Sequence, residues 1–351
     1  MIVTTRLILQ SQIEKTALSN YGGIRRRLHG SIFEVQDRVK AAVAQGKPVC
    51  ALESTIVAHG MPFPENLQLA QEVESILEDN GVVPVTIAVR DGVCRVGISE
   101  EELYDLARAG EEGRAQKCST RDLPMMLATY AAVSATSQEK TTKTMWGATT
   151  VASTMKLAHL AGIATFVTGG IGGVHRNGHD SMDVSSDLTE LGQTPVVVVS
   201  AGIKSILDIQ RTIEVLETNS VPTIGWQTDE FPAFFSPSSG ISCPARADTA
   251  KVIADAYWVA RQLKLPQGML VGVPNDDPAG ANVEKAIKAA LLEAEKLNIR
   301  GRDVTPYILK TVAEKTGGDS LRSNMALVRK NAKVGAEIAI AISNARQAVR
   351  L

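Results

Sequence analysis

Aromatic residues make up only 4% of this sequence, and its 37 lysines and arginines are matched by 38 aspartates and glutamates. The first shortage removes the stacking platforms that hold single-stranded nucleic acid. The second leaves a formal net charge of −1, so there is no broad basic field for nucleic acid or an anionic membrane. No apolar run approaches the roughly 18 residues that a spanning helix needs. Cys50, Cys94, Cys118 and Cys243 are scattered without a CxxC pair, which argues against a zinc site and for free thiols in a reducing compartment. What is left is an ordinary globular balance, 44% hydrophobic and 21% charged, on a chain of 351 residues that can bury a large core.

The start of the chain, residues 1–36, differs from the rest. Arg6, Lys15, Arg25, Arg26 and Arg27 stand near a single early acid, Glu14, among serines and threonines. That composition suits an organellar (mitochondrial) transit peptide and a plain basic tail equally, so localisation stays open between cytoplasm and organelle. From about residue 37 to 351 short apolar runs alternate with amphipathic stretches, as expected of one α/β domain with a helical C-terminal part. Runs such as PVCALES (48–54), ATFVTG (164–169), PVVVVSA (195–201) and GMLVGVP (268–274) are β-branched and uninterrupted. They predict strands buried on both faces of a largely parallel sheet flanked by helices. The 83–98 region reads as a hairpin, which makes the sheet mixed, and Ser99 with Glu102 predicts a capping box. KSILDIQRTIEVLETN (204–219) reads as a helix. The segment 129–145, TYAAVSATSQEKTTKTM, reads as a polar surface insertion.

Ligands of parallel α/β sheets gather at the carboxyl ends of the strands, so the residues that follow each strand are the candidates. Glu53 ends the first apolar run; a carboxyl there can act as an acid with a raised pKa, or cap neighbouring amides. Gly169–Gly173, GGIGG, is too short for a dinucleotide fingerprint but lets backbone amides approach a phosphate or sugar. His175 to Asp187 gathers Asp180, Asp183 and Asp187 with two histidines, a composition for Mg²⁺ or Mn²⁺ more than zinc, or for a solvated acidic loop. Lys117 reads as a solvent-exposed charge, and Asn324, after a glycine pair, says little alone. Lys204 is the sharpest candidate. It follows four valines, at an expected helix start where the macrodipole disfavours a cation, and an amine beside an apolar strand end makes a nucleophile.

The ordered stretches LESTIVAHGMPFPENLQLA, WGATTVASTM, TGGIGGVHR, SMDVSSDL, SAGIKSILD, EFPAFF and TGGDSLRSN resemble the pseudouridine-5′-phosphate glycosidases, the indigoidine-synthase-A-like family, over about residues 38–345. The resemblance implies reversible cleavage of pseudouridine 5′-phosphate to uracil and ribose 5-phosphate with a divalent metal, Mn²⁺ or a relative such as Mg²⁺. It implies Glu53 as proton donor, Lys204 as covalent nucleophile and Asp183 as the metal position. Lys117, Val151, Ser185, Ser186 and Asp187 match substrate positions, and His175 and Asn324 support the site. It further implies a homotrimer and a separate pseudouridine kinase that supplies the substrate. Two other readings use the same residues. One is a Schiff-base lyase or aldolase acting on another sugar phosphate; the other is a non-catalytic sugar-phosphate-binding accessory protein.

Overall fold

The structure, a computed structural model, describes residues 32–136, 144–176, 178–279, 282–299 and 304–349. The basic leader up to residue 31, and residues 137–143 of the expected insertion, lie outside the described residues. In chain order the strands are β1 (Phe33–Val35), β2 (Val49–Leu52), β3 (Val83–Arg90), β4 (Val93–Val96), β5 (Ala115–Cys118), β6 (Trp146–Thr149) and β7 (Thr165–Val167). They continue as β8 (Val174–His175), β9 (Val197–Ser200), β10 (Leu207–Asp208), β11 (Thr223–Trp226), β12 (Ala245–Ala247) and β13 (Met269–Gly272).

Eleven of these strands make one sheet, ordered β1-β4-β3-β2-β7-β9-β13-β11-β12, with β6 also paired to β3 and β5 to β6. Among the described residues its antiparallel pairs are β3–β4 and β3–β6; its other pairs are parallel. The sheet is therefore mixed and largely parallel, as the strand composition requires. The central strand β9 is buried at every residue. Helices cover it, so it has no wet face to which a polar residue could point.

Local chemistry explains the edges of these elements. Asp91 and Gly92 both have positive φ, 49° and 76°, and form the two-residue turn that reverses the chain between β3 and β4. Such a turn matches the twist of the strands that it joins. Ser99 and Glu102 do form the reciprocal capping box at the start of the Glu100–Glu111 helix. The 31-residue helix Asp319–Val349 is about 46 Å long at roughly 1.5 Å per residue. It packs on β2, β7 and β9, and Gly335 lets it come close, since a Cβ there would lie 2.1 Å from Val167 Cγ2.

Two expectations change. The helix read over 204–219 begins only at Ile209, and Asp208 caps it by accepting from the Arg211 amide at 3.0 Å. Residues 207–208 pair with β8 first, so Lys204 sits in a loop and the macrodipole argument does not apply to it. The first part of the expected polar insertion, 129–136, belongs instead to a helix, Leu123–Thr136. Its alanine and leucine content favours a helix once no partner strand competes.

Candidate active site

Strands β2, β7 and β9 are parallel neighbours in matched register, with Leu52 opposite Val167 and Val167 opposite Val199. The next residues, Glu53, Thr168 and Ser200, therefore leave the sheet at one edge, where α/β proteins place their ligands. Glu53 is 6% exposed and accepts a short hydrogen bond from the Thr168 hydroxyl through Oε1. Burial pushes its carboxyl above the usual carboxylate range. The positive charge of Lys204, the Thr168 hydroxyl and, more weakly, Lys117 oppose that rise, while Asp187 adds to it.

After β9 the chain turns at Gly202, whose φ is 87° and where a Cβ would lie 2.2 Å from the Pro232 carbonyl oxygen. Only glycine fits there. The turn is fixed by Ile171, whose amide donates to Gly202 O at 3.1 Å and whose carbonyl accepts from the Lys204 amide at 3.2 Å. Lys204 is half-buried. The expected dry apolar setting is only one side of its surroundings: it shares one space with Ile56, Phe234 and Leu309, and another with Glu53, Lys117, Asp183 and Asp187. The buried valines end at Val199, five residues earlier, and form the floor of the sheet, not the wall around the amine.

The Glu53–Lys204 pair stands where two lobes meet. The outer lobe, about 150 Å³, is polar, and the inner lobe, about 40 Å³, has apolar walls from Ile56, Phe234 and Leu309. Glu53, Lys117, Val151, His175, Asp183, Ser185, Ser186, Asp187 and Lys204 all line the outer lobe, and Asn324 lines the inner one. Residues 140 positions and more apart in sequence are thus brought together. Val151 enters at the start of the Val151–Leu160 helix, which follows β6. Ser186 reaches the Ser119 hydroxyl at 2.7 Å.

Asp187 is 6% exposed and uses one oxygen for the Ala152 amide at 3.0 Å and the other for the Gly172 amide at 2.9 Å. It braces the glycine loop against the start of the 151–160 helix. The GGIGG run is thereby read differently from the sequence expectation, because the Gly172 amide points at Asp187. Its missing side chain is needed for packing, since a Cβ there would lie 2.3 Å from Ser185 Oγ. His175 Nε2 lies 3.8 Å from Asp183 Oδ2, and its backbone amide donates to the Asp183 carbonyl at 3.0 Å. The side chains of His179 and Asp180 lie outside those described. Among the described residues no group of three His, Cys, Asp or Glu side chains is placed to hold a metal.

Sequence reasoning passed over Thr168, His59 and Phe234. Thr168 opens the TGGIGG run, where the glycines drew the reading, and His59 lies inside the LESTIVAHGMP stretch that Glu53 dominated. Phe234 carries a positive φ of 63°, a conformation that a bulky residue seldom adopts, and it lines the inner lobe.

Residues 38–341 match the family model described as indigoidine synthase A like protein. The chain is 45% identical over 316 residues to a pseudouridine-5′-phosphate glycosidase of Arabidopsis thaliana, covering 89% of this chain and 91% of that one. It is 48% identical over 316 residues to the protein of the same name in Deinococcus radiodurans, covering 89% and 95%. Among solved structures, the prealnumycin C-glycosynthase AlnA in complex with ribulose 5-phosphate superposes with a TM-score of 0.78 at 34% identity, covering 91% of this chain and 99% of that one. An indigoidine synthase A-like protein of Thermotoga maritima gives a TM-score of 0.74 at 35% identity, covering 90% and 98%. With its sheet edge, its two-lobed cleft and these matches in agreement, the chain belongs to the indigoidine synthase A like family.

Proposed function

We propose that this protein cleaves the carbon–carbon glycosidic bond of pseudouridine 5′-phosphate, reversibly, giving uracil and ribose 5-phosphate. The observation that carries the reading is the placement of Glu53 and Lys204 at the junction of a polar and an apolar lobe. A phosphorylated sugar suits the first lobe and the edge of a neutral, planar base suits the second. The named relatives and the ribulose 5-phosphate held by AlnA support the same substrate class.

The chemistry follows from the bond. A carbon leaving group has no lone pair to protonate, so the pair of carboxylates used by ordinary glycosidases does not suffice. The Lys204 amine adds to C1′ as the ribose ring opens and O4′ takes a proton. The nitrogen lone pair then forms C=N while the C1′–C5 bond breaks. Its electron pair goes to uracil C5, which receives the proton of Glu53. Water hydrolyses the imine, frees Lys204 and yields the aldehyde of ribose 5-phosphate, so one water is consumed overall. The buried, proton-retaining environment of Glu53 supports its part as acid.

The divalent metal expected from the sequence would take Asp183 as its carboxylate, with His175 beside it, since Asp187 in the same lobe has both oxygens on backbone amides. That set fits a hard cation that keeps most of its waters and does not fit zinc. When bound, the ion supplies positive charge to the polar lobe.

Incubation with pseudouridine 5′-phosphate and Mn²⁺ tests the reading by release of uracil. Borohydride with ribose 5-phosphate should leave a sugar adduct on Lys204, and Lys204→Ala should lose both adduct and turnover. An adduct without uracil release points to a lyase or aldolase on another sugar phosphate. Binding of the nucleotide with neither outcome points to an accessory protein.

A further inference from the structure

His59 ends the short helix Thr55–His59 that begins two residues after Glu53. It lines the inner lobe together with Glu53, Lys204, Asn324 and Phe234. Its Nε2 is buried and, among the described residues, has no hydrogen-bond partner. Asn324 Oδ1, in the same lobe, is buried and unpartnered in the same way. A buried polar atom left unpaired costs stability that a fold normally avoids, and two in one small lobe mark a surface completed by a ligand.

The ligand's chemistry can be narrowed. The inner lobe holds about 40 Å³, which admits the edge of a flat ring and not a sugar phosphate. Burial, and then the nearby charge of Lys117, lower the His59 pKa, so the imidazole is neutral near neutral pH. Lys117 and Lys204 also reach this lobe, so it is its small size, and a neutral donor–acceptor ring beside Ile56, Phe234 and Leu309, that favour the uncharged amide-like edge of a base over a phosphate.

We propose that His59 recognises the base: its Nε2 hydrogen-bonds the polar edge of the pyrimidine and holds C5 toward Glu53. The assignment rests on the functional reading above and adds a specificity-determining residue to it. His59 acts on the leaving base alone, so the sugar half-reaction does not depend on it.

The test separates those halves. The KM for uracil is measured in the synthetic direction at saturating ribose 5-phosphate, and formation of the borohydride-trapped adduct is measured without uracil. His59→Phe keeps the ring and removes the hydrogen bond. It should raise the uracil KM about 10- to 100-fold, the effect of leaving a buried partner unpaired, with adduct formation within about twofold of wild type. His59→Gln, whose amide can reach the same edge, should recover most of that loss. His59→Leu gives the same comparison if the larger ring does not fold. A uracil KM within about twofold of wild type in the apolar variants, or adduct formation that falls in step with it, overturns the assignment. A wild-type protein that neither traps ribose 5-phosphate nor releases uracil overturns the functional reading itself, and this proposal with it.

Discussion

The hydroxyl of Thr168 donates to Oε1 of Glu53, joining the first residues beyond two adjacent parallel strands, β7 and β2. Because both side chains are almost fully buried, 2% and 6% exposed, this hydrogen bond sets which carboxyl oxygen is left to carry a proton. Asn331 steadies the arrangement from the long C-terminal helix, donating to the Thr168 carbonyl at 2.8 Å. A general acid needs both features, a retained proton and a fixed direction.

Thr168→Val is nearly isosteric and removes the hydroxyl. The donated bond favours the carboxylate, so its loss moves the Glu53 pKa further upward. The role of acid proposed for Glu53 requires its protonated form in the cleavage direction. The alkaline limb of the kcat/KM profile for pseudouridine 5′-phosphate should therefore shift to higher pH in Thr168→Val, and Thr168→Ser should return it. A purely structural role for Thr168 would lower the whole profile without moving the limb.

Glu53 also links stability to pH. Its folded pKa lies above the ordinary value of 4.5, so the folded chain holds that proton more tightly than the unfolded chain. The stabilisation is complete below the unfolded value and is lost as pH rises through the folded one. Glu53→Gln cannot ionise and escapes this loss. The difference in Tm between Glu53→Gln and wild type should be smallest in acid and should move in favour of the variant as pH rises. A constant difference across that range would show that Glu53 pays no penalty for ionising in the fold.

The central strands β2, β7, β9 and β13 were legible because each lies in an uninterrupted apolar run buried at every residue; β5 (AQKC) and β12 (ARA) carry no such run, and only their pairing reveals them. The capping box was legible because Ser99 and Glu102 are three residues apart. The Lys204 loop was not, because apolar periodicity through 203–219 is the same whether or not Leu207 and Asp208 first pair with β8. Lys117 read as a surface charge, and the fold turns it into the cleft through β5–β6 pairing, a non-local event. Thr168 and His59 carry no pattern of their own. Their importance comes from what stands opposite them, which only the assembled sheet edge supplies.

Asp187 tests whether the cleft is held by its brace. Asp187→Ala leaves the Ala152 and Gly172 amides without their acceptor, at about 1–3 kcal/mol for each buried donor. Asp187→Asn keeps one acceptor and should recover part of the loss. Gly172→Ala presses on the same contact from the other side, since its Cβ would lie 2.7 Å from Asp187 Oδ2. Urea unfolding should rank wild type above Asp187→Asn and Asp187→Asn above Asp187→Ala, with Gly172→Ala also destabilised. Equal stability of Asp187→Ala and wild type would mean that both amides find water instead.

Metal binding is expected to hinge on Asp183, whose side chain remains 35% exposed toward the cleft. A hard cation held by one carboxylate keeps several waters, so the loss of that carboxylate removes most of the protein's hold on it. Free Mn²⁺ gives an electron paramagnetic resonance signal that weakens on binding, so affinity can be read without turnover. Asp183→Asn should weaken Mn²⁺ binding by about tenfold or more. His175→Ala should weaken it less, since His175 Nε2 faces Asp183 Oδ2 at 3.8 Å and would act mainly by orienting that carboxylate. EDTA should remove the bound ion and lower turnover, and added Mn²⁺ should restore it in wild type but not in Asp183→Asn at the same concentration. Wild-type affinity in Asp183→Asn would place the ion elsewhere and leave Asp183 as a partner of His175.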